Sequence, residues 1–357
     1  MGLSLKNIHK RVDGEMHLAD INLSFESGSR NVLLGRTLSG KTSLLRIMAG
    51  LDRPTSGQLL LDGRDITGLS VRKRSIAMVY QQFINYPSFT VYDNIASPLK
   101  VNKMDKKEID RRVREAAQML HLEEMLDRLP SELSGGQQQR TAIARAIVKD
   151  AELLLLDEPL VNLDYKLREE LQIELQEIFK KRDAIVVYTT TEPAEALMLG
   201  GNIVVMDEGR ILQTGETPHV YHHPATTRVA EVFSDPPINY IGCNVIEGTA
   251  HLGQDIDLTL SGHISGLSNG NYKFGVRCNH FFLQKNSEAD IKLSAKLELS
   301  EINGSETFLH ANFNGTNIVI QEVGIHSRKM GSEIDVFVNP ACFFVYSESD
   351  ELVVAPS

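Results

Sequence analysis

The chain has 357 residues, of which 42% are hydrophobic and 24% are charged, and its formal net charge is −10. This length predicts two or three domains with hydrophobic cores. The acidic charge disfavours nucleic acid as a partner, because nucleic-acid-binding domains are usually basic. No apolar run reaches the ~18 residues that span a bilayer, and the first ten residues lack a secretory hydrophobic segment. Any membrane association is therefore expected to go through a partner protein.

A phosphate-binding loop is predicted near the N-terminus. The apolar run 31–34 leads into the pattern G-x-x-x-x-G-K-[ST], and a helix is expected from Lys41. The glycines let backbone N–H groups face phosphates, Lys41 should reach the β- and γ-phosphates, and the Thr42 hydroxyl should coordinate Mg²⁺. The predicted nucleotide-binding residues here are Gly35, Arg36, Thr37, Leu38, Ser39, Gly40, Lys41, Thr42 and Ser43.

The segment from about residue 82 to about residue 140 is predicted to be a helical subdomain inserted into an α/β domain. Ile109, Val113, Ala116 and Leu120 recur at helical spacing in a charged stretch. At its end, Ser134 and two glycines open another helix. A helix N-terminus of this kind can bind an anion.

A second acidic motif follows four consecutive leucines at 153–156. Such a run suits a strand buried on both faces, as do the runs 185–188 and 203–206, so a parallel sheet is expected. The leucine strand should carry Asp157 to the sheet edge, where it can hold Mg²⁺ through water. Glu158 is then placed to polarise an attacking water as general base.

The pattern changes near residues 234–237, where two prolines follow an acid. Beyond this point apolar and polar residues alternate strictly, as in 293–299, 309–313 and 334–338. Asn-Gly pairs at 269, 303 and 314 separate these stretches, as in β-hairpins. We therefore expect a first domain over 1–235 and an all-β, OB-like barrel over 236–357.

Taken together, the phosphate-binding loop, the segment 133–137 (LSGGQ) and the segment 153–159 (LLLLDEP) resemble the ATPase subunits of ABC transporters. The resemblance implies a P-loop NTPase fold with a RecA-like sheet and a helical signature subdomain, binding ATP with Mg²⁺. It also implies a glutamine contacting Mg²⁺ and the attacking water, at Gln82 or, alternatively, Gln81, and a loop that ends at Asp164. By the same resemblance, the γ-phosphate of an ATP held by an opposite subunit is bound by Ser134, Gly135, Gly136 and Gln137.

Three positions depart from the family pattern. Thr191 stands where the family carries a catalytic histidine, and Val161 stands where a serine is usual. The family also stacks adenine on an aromatic residue near position 12, but there is no Phe, Tyr or Trp before residue 24, and Val12 is the candidate. Threonine can hydrogen-bond a phosphate but has no titratable ring. A slow ATP site is one consequence to be tested.

A narrower resemblance, over essentially the whole chain, is to maltose-type sugar importers and most closely to the ATPase subunits of bacterial glycerol importers, on segments 38–43, 189–193 and 234–239. It implies import of a small polyol or carbohydrate, with glycerol favoured. The implied partners are a second ATPase subunit, identical or different, two membrane permeases and, indirectly, a periplasmic solute-binding protein, at the cytoplasmic face of the inner membrane. The alternative is a weakly hydrolytic subunit that mainly completes a partner's ATP site.

Overall fold

The computed structural model describes residues 2–161, 163–253 and 256–356. The chain divides into two units between Thr217 and Pro218. The strands of the first unit are β1 (Gly2–Val12), β2 (Glu15–Glu26), β3 (Arg30–Gly35), β4 (Ser56–Leu61), β5 (Arg64–Asp65), β6 (Ile76–Val79), β7 (Leu153–Asp157), β8 (Ile185–Thr190), β9 (Asn202–Asp207) and β10 (Arg210–Glu216). Its helices are α1 (Lys41–Ala49), α2 (Val91–Val101), α3 (Lys106–Met119), α4 (Gly135–Ile147), α5 (Tyr165–Lys180) and α6 (Pro193–Leu199).

The main sheet of the first unit has the strand order β10-β9-β3-β8-β7-β6, and all its pairings are parallel except β10 with β9. Strands β7 and β8 are buried along their whole length. The continuous apolar runs of the sequence are therefore explained by helices or strands covering both faces. Because the strands are parallel, their carboxyl ends meet at one edge, and the loops after β3, β7 and β8 lie together there.

A smaller antiparallel sheet, of order β2-β1-β4-β5, packs with α1 and one face of the main sheet around a common core. The core includes Leu3, Leu5 and Ile21 from the small sheet, Leu45 from α1 and Leu155 from β7. Helix α1 is thus held between the two sheets. This packing fixes the start of the helix at the loop that follows β3.

Helices α2, α3 and α4 follow β6 and form the predicted helical insertion. Helix α2 begins at Val91, where the Thr90 hydroxyl accepts a hydrogen bond from the Asp93 amide, and α3 is capped in the same way by Asp105. The buried face of α3 consists of Ile109, Val113, Ala116 and Ala117. The helical spacing in the sequence therefore marked the face that packs.

The second unit begins with two short helices, α7 (Thr217–His222) and α8 (Thr227–Val232). Its strands are β11 (Asn239–Ile246), β12 (Thr249–Leu252), β13 (Ile256–Thr259), β14 (Gly270–Val276), β15 (Phe281–Phe282), β16 (Ile291–Asn303), β17 (Glu306–Phe313), β18 (Thr316–Val323), β19 (Glu333–Val338), β20 (Phe344–Ser347) and β21 (Leu352–Val354). They form two antiparallel sheets around one apolar core, and the result is a nearly closed barrel. The all-β prediction for this part of the chain is confirmed.

Helix α8 belongs to the second unit, although it precedes the boundary expected from the sequence at 235/236. Ala230 packs with Ile238, Phe344 and Tyr346. The Tyr240 hydroxyl donates to the Thr227 carbonyl at 2.8 Å. In the part of the chain that the structure describes, no helix is long and apolar enough to cross a membrane.

Candidate active site

The loop after β3 has the geometry of a phosphate-binding loop. Helix α1 begins at Lys41, and Gly40 before it has φ 97°, in the left-handed region. A Cβ at position 40 would lie 2.8 Å from Leu18 Cδ2 and 3.0 Å from the His17 carbonyl oxygen. Glycine is therefore required there by both conformation and space. The loop brings the first N–H groups of α1, and the positive end of its dipole, to the carboxyl edge of the sheet.

Lys41 is buried, with 3% of its side chain exposed. Its ammonium group donates to the carbonyl oxygens of Gly35 (2.7 Å) and Arg36 (3.0 Å) and lies 3.2 Å from Glu158 Oε1. Burial lowers the pKa of Lys41, and the neighbouring Glu158 carboxylate opposes that change. The loop therefore holds one buried cation above its own backbone, where a phosphate group can compete for it.

Asp157 ends β7 beside this cation. The Thr42 hydroxyl donates to Asp157 Oδ1 at 3.0 Å. Burial raises the pKa of Asp157, while hydrogen bonds from Thr42 and Thr189 act in the opposite direction. Thr42 and Asp157, both predicted as metal ligands, are thus brought together by the parallel strands.

Glu158 follows with a left-handed backbone, φ 43°. For a residue with a Cβ this conformation costs about 1–2 kcal/mol. Its Oε2 accepts a hydrogen bond from Gln81 Nε2 at 3.1 Å, and its backbone N–H donates to the Thr189 hydroxyl at 2.9 Å. A strained residue held by several partners is typical of a catalytic position.

Lys41, Thr42, Gln81 and Glu158 line a cavity of about 630 Å³, a size usual for small-molecule sites. It is lined by Glu15, Met16, His17, Thr37, Leu38, Ser39, Gly40, Lys41, Thr42, Ser43, Gln81, Glu158, Val161, Thr191, Glu208 and Gly209. The hydroxyl of Ser39 is buried and has no hydrogen-bond partner among the described residues. The cavity therefore combines a buried cation, helix N–H groups and unsatisfied donors, which suits a nucleoside triphosphate.

The glutamine at this site is Gln81. Gln82, the residue favoured from the sequence, is exposed and does not line the cavity in the described part of the chain. Strand β6 ends at Val79, and both glutamines follow it in an exposed, irregular segment, so the sequence could not decide between them. Of the two glutamines, the structure places Gln81, the alternative, at the cavity.

Residues of β2 were missed from the sequence. Met16 and His17 line the cavity, whereas Val12 does not, and the described lining contains no Phe, Tyr or Trp. No sequence pattern marked these two residues. Only the fold brings them to the site, by placing the His17 carbonyl close to Gly40 and Gly209. The candidate surface for a nucleobase is therefore a thioether and an imidazole.

The segment 134–137 lies outside this cavity. Ser134 caps α4: its hydroxyl accepts from the Gln137 amide at 3.3 Å, and Gln137 Oε1 accepts from the Ser134 amide at 3.0 Å. A Cβ on Gly136 would lie 2.0 Å from Leu167 Cδ2, whereas one on Gly135 would meet nothing within 4 Å. A side chain at position 136 would therefore displace Leu167 of α5, whereas position 135 leaves the helix N-terminus accessible.

Asp164 is the N-cap of α5, and its Oδ1 accepts a hydrogen bond from the Leu167 amide at 3.0 Å. Asp164 does not line the described cavity, so its contact with a nucleotide stays a prediction. Of the loop that leads to it, Val161 lines the cavity and Asn162 lies outside the described residues. Most of the predicted residues of the phosphate-binding loop line the cavity together with Glu158 and Thr191, whereas Ser134 and Asp164 cap the starts of two helices outside it.

The fold and this cavity define a P-loop ATPase. Residues 18–161 match the ABC transporter family model. The chain is 36% identical over 351 residues to the trehalose/maltose import ATP-binding protein MalK of Thermococcus litoralis, covering 94% of each chain. It is 37% identical over 315 residues to the sn-glycerol-3-phosphate import ATP-binding protein UgpC of Vibrio cholerae, covering 88% of this chain and 84% of UgpC.

A third relative is the multiple sugar-binding transport ATP-binding protein MsmK of Streptococcus mutans, 34% identical over 362 residues with 95% and 96% covered. Among solved structures, a dimeric bacterial ABC transporter cassette matches with a TM-score of 0.55 at 30% identity, over 60% of this chain and 98% of the cassette. The chain therefore belongs to the ATP-binding, ATP-hydrolysing subunits of the ABC transporter family.

Proposed function

We propose that this chain couples ATP hydrolysis to the import of a small polyol or carbohydrate, with glycerol as the favoured substrate. The observation that carries the ATPase part is that Lys41, Thr42 and Glu158 line one cavity, with the Asp157 carboxylate accepting a hydrogen bond from Thr42 beside it. The import part is supported by relatives over most of the chain whose names specify trehalose/maltose, multiple sugars and sn-glycerol 3-phosphate. These substrates share a dense array of hydroxyl groups.

Mg²⁺ is the proposed metal of the site. The Thr42 hydroxyl, the Asp157 carboxylate and the Gln81 side chain are the hard oxygen donors that Mg²⁺ prefers, and the first two already share a hydrogen bond. The residues present therefore fit the ion. When bound, it would neutralise charge on the phosphate oxygens.

In the proposed mechanism the buried Lys41 ammonium binds the terminal phosphates. The N–H groups at the start of α1 donate hydrogen bonds to the same phosphates. Lys41 and Glu158 are an ion pair, so phosphate binding to Lys41 weakens its hold on the carboxylate. Glu158 can then accept a hydrogen bond from a water, with Gln81 steadying the other carboxylate oxygen. Each group acts from a position that the strand ends of the parallel sheet provide.

We further propose that the chain works with a second ATPase subunit, identical or different, and with two permease subunits that tie it to the cytoplasmic face of the inner membrane. A periplasmic solute-binding protein would then deliver the substrate. The second ATPase subunit is supported by the capped helix start at Ser134 and Gly135, which lies outside this chain's own cavity and is accessible to another subunit's nucleotide. The permease subunits are supported by the relatives, whose names describe import ATP-binding proteins.

Uptake of labelled substrate tests the proposed import. Cells lacking this chain, and cells carrying Glu158→Gln in its place, should lose uptake of glycerol and retain uptake of an unrelated amino acid. If uptake of sn-glycerol 3-phosphate or maltose is lost while glycerol uptake stays intact, the lost compound replaces glycerol as the assigned substrate. If no polyol or sugar uptake depends on the chain, the import proposal is wrong.

The alternative is a subunit that hydrolyses slowly and mainly completes its partner's site. It is favoured by Thr191 and Val161, which line the cavity beside Glu158 where the family pattern has a histidine and a serine. Losing one transition-state contact typically costs about 2.7–4 kcal/mol. In the assembled transporter, Ser134→Ala should then reduce transport more than Thr191→Ala does. Equal turnover at both ATP sites would exclude this alternative.

A further inference from the structure

Thr189 lies near the end of β8 and is fully buried. In the parallel pairing of β7 with β8 it is the register partner of Asp157. It belongs to the segment 189–193, but no sequence pattern assigned it a role at the nucleotide site, and it does not line the cavity. Its side chain nevertheless contacts both acidic residues of the site.

The Thr189 hydroxyl donates to Asp157 Oδ1 at 3.0 Å and accepts the backbone N–H of Glu158 at 2.9 Å. A hydroxyl has one hydrogen to donate and lone pairs to accept, so a single side chain serves both contacts. It thereby joins the side chain of one acidic residue to the backbone of the next. Valine, which has the same shape, could do neither.

Each contact restrains a different degree of freedom. Asp157 Oδ1 also accepts from Thr42, so two hydroxyls on separate elements fix the rotation of the Asp157 carboxylate. Glu158 has the left-handed φ of 43°, and its N–H bond to Thr189 helps to hold that conformation. The direction in which the Glu158 carboxylate leaves the backbone depends on this conformation.

We propose that Thr189 is a positioning residue for ATP hydrolysis, which orients the Asp157 carboxylate and the Glu158 backbone through one buried hydroxyl. The inference rests on the proposed roles of Asp157 and Glu158. Because Thr189 lies behind both residues and does not line the cavity, its loss should affect turnover and the metal requirement without affecting nucleotide binding.

The test compares Thr189→Val and Thr189→Ser with the wild type in the assembled transporter, where the second ATPase subunit is present. For Thr189→Val we expect kcat to fall about tenfold or more, KM for ATP to stay within about twofold, and the Mg²⁺ concentration for half-maximal turnover to rise. The affinity for a fluorescent ATP analogue in EDTA should be unchanged. Thr189→Ser, which keeps the hydroxyl, should restore most of the turnover.

Thr307→Val is the matched control. Thr307 is fully buried in β17, donates to the Gly324 carbonyl at 2.8 Å and accepts the His326 N–H at 3.0 Å. Losing that hydroxyl removes the same kinds of hydrogen bond in the second unit. We expect a lower midpoint of thermal unfolding with unchanged kcat. Thr189→Ala removes the same hydroxyl as Thr189→Val and replaces it if Thr189→Val does not fold.

The idea fails if Thr189→Val keeps wild-type kcat and Mg²⁺ dependence, if its loss appears in nucleotide affinity instead, or if Thr189→Ser is as slow as Thr189→Val. Glu158→Gln, measured in parallel, separates this failure from failure of the proposed function. An inactive Glu158→Gln with a fully active Thr189→Val overturns only the role of Thr189. A fully active Glu158→Gln overturns the assignment of the base.

Discussion

Lys41 carries the charge of the nucleotide site, so its loss should abolish tight binding. We expect Lys41→Ala to weaken ATP binding by about 3 kcal/mol, on the order of a hundredfold in Kd, because a buried charged donor is removed and Glu158 loses its cationic partner. Isothermal titration with ATP measures this change in Kd. Lys100→Ala, at an exposed lysine paired with Asp93, is the control and should leave Kd unchanged.

The pH dependence of ATP binding has a defined sign. Burial lowers the pKa of Lys41, so its ammonium group loses the proton at a lower pH than an exposed lysine would. ATP affinity should therefore fall as the pH rises toward that lowered pKa.

Unchanged affinity in Lys41→Ala would show that Lys41 does not bind the phosphates.

Leu38 combines a strained backbone with an exposed side chain. Its φ is 68°, and 94% of the residue is accessible. Asparagine tolerates the left-handed region better than leucine does, and no buried apolar contact is lost. We expect Leu38→Asn to raise the free energy of unfolding of the first unit by about 0.5–1 kcal/mol, measured by urea denaturation.

Val101→Asn is the matched control for that measurement. Val101 is 81% exposed at the end of α2, in ordinary helical backbone. The same change to asparagine should give no stabilisation there. If both variants behave alike, backbone strain at Leu38 is not the cause.

Single-residue roles differ in how far the sequence predicts them. Lys41, Thr42, Asp157 and Glu158 could be predicted because each belongs to a local pattern with a fixed spacing to a strand or helix end. Thr189 could not, because its contact with Asp157 exists only through the register of two strands distant in sequence. Register depends on the packing of the whole sheet and leaves no local pattern.

At the scale of elements, Arg74 connects α1 to the loop before β6. It is buried, and burial lowers its pKa. Its guanidinium donates to backbone carbonyl oxygens of Ile47, Met48, Ile66, Thr67 and Leu69. Two of these carbonyls belong to the last turn of α1, so one side chain caps the helix that carries the phosphate-binding loop.

We expect Arg74→Met to lower the free energy of unfolding by about 3 kcal/mol, because backbone carbonyls in two segments lose the charged donor that joins them. Arg46→Met is the control: Arg46 pairs with Asp52 at the surface, where an ion pair is worth about 0–1 kcal/mol. Chemical denaturation measures the free energy of unfolding of both variants. Similar losses in the two variants would mean that the carbonyl contacts of Arg74 contribute little.

Elements with a strong period were predictable, and their ends were less so. The leucine run before Asp157 became β7, and the alternation at 293–299 became the middle of β16. The Asn314-Gly315 pair has positive φ at both residues, as the hairpin between β17 and β18 requires. The edge strand β5, with only two residues, has no period to detect.

At the scale of the whole molecule, the boundary between the two units does not coincide with the change in sequence pattern. The pattern changes at the prolines near 236, because β structure begins there. The contact boundary lies at Thr217, since α8 packs on strands that come later in the chain. Helical periodicity shows which face of α8 is apolar but not which sheet covers it.

Truncated chains test where the boundary between the two units lies. A chain of residues 1–217 should fold and bind ATP with a Kd within about twofold of the full chain, because every described residue of the cavity lies before position 210. A chain of residues 1–237 should bind equally well but expose the apolar face of α8, since Tyr240, Arg277 and Tyr346 are gone. It should therefore self-associate and bind a hydrophobic dye more strongly, as measured by size-exclusion chromatography and fluorescence. If residues 1–217 do not fold while residues 1–237 form a stable monomer, α8 stabilises the first unit and the boundary lies near 235 after all.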